Sequence, residues 1–298
     1  LTTLHFDQLH RFIFEQAHIR GELVQLEDSL HDLLNTHEYP PCLQQLLAEM
    51  MLATSLLTAT LKFEGEISMQ LQGKGKLKYA VISGSDDQKL RGIARWDGEL
   101  SDESFQQITE ENGTLAITIM PKQGQQYQSI VALNEPTLAE CLKAYFQQSE
   151  QLATEIILHT NFSSEKPRAA GILLQSLPES DTSFQEQNSA FEHLTHLTKT
   201  ITEQEITNLP VTDILHRLYH EEQVKLFEAV DVCFSCTCSR ERISSALSTI
   251  PRSELMKILE EKESIKTNCQ YCFAEYVFTE QEIIDIIGPS PVEKHKLH

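Results

Sequence analysis

Cys236-Thr237-Cys238 and Cys269-Gln270-Tyr271-Cys272 decide how this chain is read. They form a C-x-C pair and a C-x-x-C pair, with thirty residues between Cys238 and Cys269. Zn²⁺ takes four thiolates at the corners of a tetrahedron, at about 2.3 Å each. Two cysteines one or two residues apart can grip one ion from a single turn, and a second such pair ties a distant segment to it. The spacing therefore predicts one zinc per chain, held by Cys236, Cys238, Cys269 and Cys272. Cys233 stands three residues before Cys236 and makes a further chelating spacing, so it is an extra thiol that could compete as ligand or disulfide partner.

The totals bound what surrounds this module. The chain has 298 residues, about two domains' worth. It is 40% hydrophobic and 23% charged, the balance of a globular protein with a buried core. A net charge of −20 repels nucleic-acid phosphates and anionic membrane surfaces. Lys74, Lys76 and Lys78 are only a short basic run, so neither nucleic acid nor membrane is expected as a partner. Seven cysteines are an odd number in a chain this long, which argues against a secreted disulfide framework. Leu1-Thr2-Thr3-Leu4-His5 lacks the basic and apolar regions of a signal peptide. No apolar run approaches the ~20 residues of a membrane span. A reducing cytoplasm, where thiolates stay free to hold metal, is the expected location.

Upstream of the cysteines the chain changes character twice. From residue 6 a short helix-like stretch precedes a strand at Ile19–Leu26, and Asp28 is placed to cap a helix to about Leu34. The clearest helix runs from about Leu43 to Phe63. Leu46, Leu47, Met50, Thr54, Leu57 and Leu61 recur at three- and four-residue spacing, and Met51, Leu52, Ala53 and Leu56 leave little polar surface. A helix apolar nearly all round belongs inside a core. Glu66–Gln72 and Leu77–Ser83 read as a hairpin about Gly73-Lys74-Gly75-Lys76. Further strands are predicted at Leu90–Trp96, Thr114–Met120, Gln128–Leu133, Glu155–Asn161 and Ala169–Leu177. Between them Thr137 and Glu140 form a capping box for a helix to about Gln151. Strand runs around one buried helix predict an α+β (α/β) N-terminal core domain, residues 1–178.

Residues 179–232 contain no glycine and carry 11 acidic against 3 basic residues. Phe184, Phe191, Leu194, Thr198 and Ile201 make one helical stripe. Pro210 opens a second helix with Val211, Ile214, Leu215 and Leu218 inward. After the polar break His220-Glu221-Glu222, the residues Val224, Leu226, Phe227 and Val230 carry the amphipathic pattern to the cysteines. Such helices are marginal alone and need something to cover. This is a helical linker with the apolar stripe Phe184, Phe191, Leu194, Ile214, Leu215, Leu218 and Phe227. Residues 233–298 are then a small C-terminal zinc-binding domain. Helices are expected after Ser239 and Pro251, a strand at Phe273–Thr279, and a last helix at Glu280–Ile287.

Cys236-Thr237-Cys238-Ser239-Arg240-Glu241-Arg242 with Cys269-Gln270-Tyr271-Cys272 resembles the zinc module of the redox-regulated heat shock protein 33 family, bacterial cytosolic holdase chaperones. Leu218-Tyr219-His220-Glu221-Glu222 and Arg91-Gly92-Ile93-Ala94-Arg95 extend the likeness over the whole chain. The resemblance implies a core domain that binds clients and dimerises, a redox-sensitive linker docked on it, and a zinc domain that is the switch. It implies that the reduced, zinc-bound form is inactive. On oxidation Cys236 pairs with Cys238 and Cys269 with Cys272, zinc leaves, and the linker unfolds. The protein then holds unfolding clients without ATP, as a homodimer, for ATP-dependent refolding chaperones downstream.

Physical chemistry permits such a switch. Zinc supplies on the order of 10–16 kcal/mol of apparent folding free energy to a small module. Two disulfides closing loops of three and four residues would give roughly 2 kcal/mol each. Neither would join the two halves. Freed apolar surface binds unfolding chains, and the acidic balance keeps such a form in solution. Two other readings use the same cysteines. A static zinc ribbon in a nucleic-acid-binding regulator fits the spacing but is opposed by the charge. A thiol–disulfide oxidoreductase would use Cys269-x-x-Cys272, yet that motif precedes a strand-like run where redox enzymes place a helix. No G-x-S-x-G, H-E-x-x-H or Walker loop is present, so a catalytic residue is not expected. His216 and His220, four apart, read as surface or docking residues.

Overall fold

The computed structural model describes residues 4–60, 64–109, 113–177 and 184–288. The chain divides into two compact units, Leu1–Ser235 and Cys236–His298.

The first unit begins with β1 (Gln8–Phe14), β2 (Ile19–Leu26), α1 (Asp28–Leu34) and α2 (Pro41–Ala59). A meander follows: β3 (Gly65–Gln72), β4 (Leu77–Ser85), β5 (Lys89–Trp96), α3 (Phe105–Thr109), β6 (Thr114–Pro121) and β7 (Tyr127–Ala132). Next come α4 (Leu138–Tyr145), a π-helical turn at Phe146–Glu150, β8 (Thr154–Asn161) and β9 (Arg168–Ser176). The unit closes with α5 (Phe184–Thr198), α6 (Glu203–Asn208), α7 (Val211–Tyr219), β10 (Val224–Leu226), β11 (Val230–Asp231) and β12 (Cys233–Phe234).

Two sheets organise these strands. One has the order β10-β1-β2-β9-β8, with β11 also on β1, and the other runs β12-β5-β4-β3-β6-β7. Among the described strands every pairing is antiparallel except β12 with β5. The Gly73–Lys76 turn joins β3 to β4 as the sequence predicts, with Gln72 opposite Tyr79.

Helix α2 packs on both sheets, which explains its lack of a polar face. Fourteen of its 19 residues are buried, in a core that also takes Val24 and Leu26 of β2, Met69 and Leu71 of β3, Ile82 of β4 and Leu173 of β9. By length and composition α2 could cross a membrane, but it is the core helix of this unit. Its interior hydroxyls are satisfied locally. Thr54 and Thr58 donate to carbonyls four residues back, and Ser55 Oγ donates to Gln88 Oε1 at 2.6 Å. The helix ends at Ala59, and the expected continuation through Leu61 and Phe63 lies outside the described residues.

The first sheet is buried on both faces, so its strands carry apolar residues at both parities. Val24, Leu26, Ala169 and Leu173 face α2. Phe12, Phe14, Ile19, Leu23, Ala170, Ile172 and Leu174 form a second core with helices α5 to α7. Gly21 is required there, because a Cβ would lie 2.2 Å from the Phe12 ring that covers it.

Three expectations are corrected. Residues 8–14 are not helix-like but strand β1, whose outer edge is completed by β10 and β11 from more than 200 residues later. For the same reason the amphipathic pattern at Val224–Val230 is not helical. It is extended edge strand, and Phe227 is 44% exposed. The helix at Asp28 forms where predicted, but Asp28 does not cap it. Asp7, at a φ of 57°, accepts from the N–H groups of Glu27, Asp28 and Ser29.

The second unit holds α8 (Arg240–Leu247), α9 (Arg252–Glu261), the hairpin β13 (Ser264–Asn268) with β14 (Glu275–Thr279), and α10 (Glu280–Ile287). Leu247, Leu255, Ile265, Phe278 and Ile283, one from each element, are its buried apolar core. A core of this size gives little stability unaided.

Candidate metal centre

The β13–β14 hairpin turns at Cys269–Cys272. Cys269 N–H donates to Ala274 O at 2.9 Å and Phe273 N–H to Cys269 O at 2.9 Å. Phe273 takes a left-handed φ of 57°, which folds the C-x-x-C segment back so that both thiols share one side. Cys269-x-x-Cys272 therefore sits on a hairpin turn and not at a helix N-terminus, where a redox enzyme's thiol would be activated. The other pair lies in extended chain just before α8. Ser239 Oγ caps that helix by accepting from Arg242 N–H, and the Arg242 side chain returns to Thr237 Oγ1 at 2.5 Å.

These two segments bring four sulfurs together. The Sγ atoms of Cys236, Cys238, Cys269 and Cys272 all lie within 4.8 Å of one another. Cys236 to Cys269 is 3.6 Å and Cys238 to Cys272 is 3.4 Å. A tetrahedron with 2.3 Å metal–sulfur bonds has edges of about 3.8 Å, while a disulfide needs about 2.05 Å. The donor set and its spacing fit a tetrahedral zinc ion. Both short contacts cross from one half of the module to the other.

The sulfurs are not equivalent. As free thiols, Cys236 and Cys272 are pushed above the ordinary value, chiefly by burial, although an N–H of Cys238 and of Ala274 respectively works the other way. Burial also disfavours the Cys238 thiolate, but hydrogen bonds from Tyr276 and the neighbouring thiols outweigh it, and its pKa falls. Tyr276 Oη lies 3.1 Å from Cys238 Sγ, and that bond pushes the phenol up to about 12. In the sequence Tyr276 is only one residue of the strand expected at Phe273–Thr279. Its bond to a sulfur 38 residues away leaves no local signal.

Of the remaining cysteines, Cys233 is exposed in β12, opposite Lys89 of β5, and belongs to the first unit. Cys42 and Cys141 are buried in the first core, and burial raises both thiols.

The linker stripe is spread over several environments. Leu194, Ile214, Leu215 and Leu218 are buried against the first sheet, and Phe191 packs at the margin of the same core. Phe184 opens α5, and its side chain lies outside the described residues. Phe227 is on the exposed edge segment. Polar anchors that the stripe did not reveal hold the helices down. The buried Gln25 amide donates to Ile206 O at 2.6 Å and Leu209 O at 2.9 Å, closing the end of α6. Arg168 reaches Asn208 Oδ1 at 2.7 Å. Lys199, just past α5, pairs at 3.3 Å with the buried Glu155 of β8.

Comparison with known proteins gives a consistent result. A family model described as Hsp33 protein matches residues 7–279. A 33 kDa chaperonin of Pseudoalteromonas atlantica is 51% identical over 280 residues, covering 93% of this chain and 94% of the relative. The 33 kDa chaperonin of Serratia proteamaculans is 46% identical over 292 residues, covering 98% and 99%. The crystal structure of a 33 kDa chaperonin (heat shock protein 33 homolog) from Thermotoga maritima superposes with a TM-score of 0.80 over 94% of this chain and 98% of that one. Its 19% sequence identity makes this a likeness of fold.

Proposed function

This chain belongs to the Hsp33 protein family, and from that premise we propose a redox-regulated holdase with a zinc-thiolate switch. The family is one of chaperones and not of enzymes. The observation that carries the switch is the arrangement of the four sulfurs, close enough for one tetrahedral ion and contributed equally by two segments.

In the resting, reduced form the four thiolates hold Zn²⁺, one per chain. A bound zinc supplies the cross-link between the C-x-C and C-x-x-C segments, and with it most of the folding free energy of the second unit. Oxidation consumes the thiolates as Cys236–Cys238 and Cys269–Cys272 disulfides, each closed within its own segment. The halves of the module are then unconnected, and a core of five buried side chains does not hold them together. Helices α5 to α7 next leave the first sheet. That exposes their own inward residues and Phe12, Phe14, Ile19, Leu23, Ile172 and Leu174 beneath them. A contiguous apolar face of this kind takes up partly unfolded clients. The oxidised form works in the cytoplasm as a homodimer and passes clients to ATP-dependent refolding chaperones. Residues 1–178 are the client-binding core, 179–232 the redox-sensitive linker and 233–298 the switch. Cys233 is a spare exposed thiol beside the switch in sequence.

The test measures metal and free thiols in the reduced protein and again after peroxide with mild heat, and follows protease cleavage of residues 184–232 in parallel. One zinc per chain, lost together with four thiols as the helices become cleavable and client aggregation is suppressed, is the expected result. Zinc loss with protease-resistant helices overturns the switch.

A further inference from the structure

We propose that Tyr276 is a positioning residue of the thiolate centre, whose hydroxyl holds the Cys238 sulfur and slows its attack on peroxide. The proposal rests on the reading of the four cysteines as a zinc centre.

The geometry is specific. Tyr276 Oη donates to Cys238 Sγ at 3.1 Å. Tyr276 lies opposite Thr267 in the hairpin, and Phe278, two residues on, faces the same side and is fully buried. The Tyr276 ring packs against the small apolar core while its hydroxyl reaches the sulfur cluster. The strand that carries it is braced at its next two residues. Arg240 stacks 4.4 Å from the Phe278 ring, donates to Val277 O at 2.8 Å and pairs with Glu282 at 2.6 Å. The tyrosine is thus aimed by a braced hairpin. Cys236 and Cys272 face backbone N–H donors, which no substitution removes cleanly. Cys238 has a side-chain donor, so its reactivity is open to tuning through one residue.

A donor on a thiolate draws electron density from the lone pair that does the chemistry. Groups around a metal-ligating atom govern both how tightly it binds and how it reacts. The step affected is the attack of the thiolate on hydrogen peroxide. A sulfur–oxygen bond forms as the peroxide O–O bond breaks, sulfur gives up two electrons, and the departing oxygen takes a proton and leaves as water. A neighbouring thiol then displaces the second oxygen, also as water, and closes the disulfide. With the sulfur lone pair engaged by Tyr276, the first step is slower and the centre tolerates more peroxide before it opens.

Tyr276→Phe keeps the ring and removes only the hydroxyl, whereas Tyr276→Leu removes both. Each purified protein is loaded with zinc, and three quantities are read. These are zinc release after peroxide with a chromogenic chelator, zinc affinity by chelator competition, and alkylation of Cys238 by mass spectrometry. For Tyr276→Phe, release about 3-fold to 10-fold faster, affinity about 10-fold weaker and faster labelling of Cys238 are expected. A purely structural tyrosine would leave Tyr276→Phe like wild type and disturb only Tyr276→Leu, which overturns the proposal while the zinc centre stands. A wild-type protein that binds no zinc overturns the zinc centre itself, and the role of Tyr276 with it.

Discussion

The Tyr219 hydroxyl lies 2.6 Å from Thr198 Oγ1, joining α7 to α5 inside the core they share with the first sheet. Thr198 gives its own hydrogen to Leu194 O, also at 2.6 Å, so Tyr219 is the donor. Both side chains are buried, and the Tyr219 ring stacks edge-on against Phe14 at 4.9 Å. A bond of this kind contributes about 0.5–1.5 kcal/mol net. Tyr219→Phe is expected to weaken docking of α7 by that amount without disturbing α2. Limited proteolysis of the reduced variant should cut faster within residues 199–223 than in wild type, while thermal unfolding of the remainder is unchanged.

Gln25 holds α6 by satisfying two backbone carbonyls that the sheet would otherwise bury. Gln25→Leu keeps the side chain's bulk but leaves Ile206 O and Leu209 O without that donor, at about 1–3 kcal/mol for each buried acceptor. This exceeds the effect at Tyr219. The reduced variant is expected to suppress aggregation of a heat-unfolded client with no oxidant added. Client light scattering in a reducing buffer checks it, and behaviour like wild type would show that α6 is not part of what covers the sheet.

Metal removal should affect the two units unequally. Among the described residues the apolar core of the second unit has five buried side chains, whereas the first unit has α2 and two sheets around it. A high-affinity chelator, or Cys272→Ser, is expected to abolish the folded signals of residues 236–288. The melting transition of α2 with its two sheets should remain within about 2 °C. Hydrogen exchange resolved by segment reads both at once.

Glu22 gives the first unit a pH dependence. It is 2% exposed in β2, and burial pushes its carboxyl up to about 7 against the pull of Arg20 and Arg11. Its Oε2 has no hydrogen-bond partner among the described residues, and Arg20 Nε stands 3.8 Å from the other oxygen. The folded form binds the proton more tightly than the unfolded form, whose ordinary value is 4.5. Stability is therefore greatest below about pH 4.5 for this group, falls as pH rises towards 7, and levels off above. Glu22→Gln removes that slope. Between pH 5.5 and 8 the melting temperature of wild type should fall more than that of the variant.

Much of this was legible from residue order because the decisive patterns are local. The C-x-C and C-x-x-C spacings are short-range chelates, and their convergence follows from what one ion requires. Helix α2 announced its central position through residues such as Met51, Leu52 and Leu56, which fill the face a surface helix would make polar. The pairings that depend on distant chain were not legible. Gln8–Phe14 carries buried side chains at Leu9, Phe12 and Phe14, a spacing that fits a helix as well as a strand with two covered faces. Val224–Asp231 has the same ambiguity, and the edge of β1 resolves it. Asp7, Gln25 and Tyr276 act on groups 20 or more residues away, where periodicity carries no information.

The first sheet keeps α2 on one face whatever happens on the other. Strands β1, β2, β9 and β8 take their register from one another and their backing from α2, so on the proposed switch the departure of α5 to α7 would leave a finished template behind. Return to rest is then a matter of laying three preformed-length segments onto an existing surface, a local search with no strand order to rediscover.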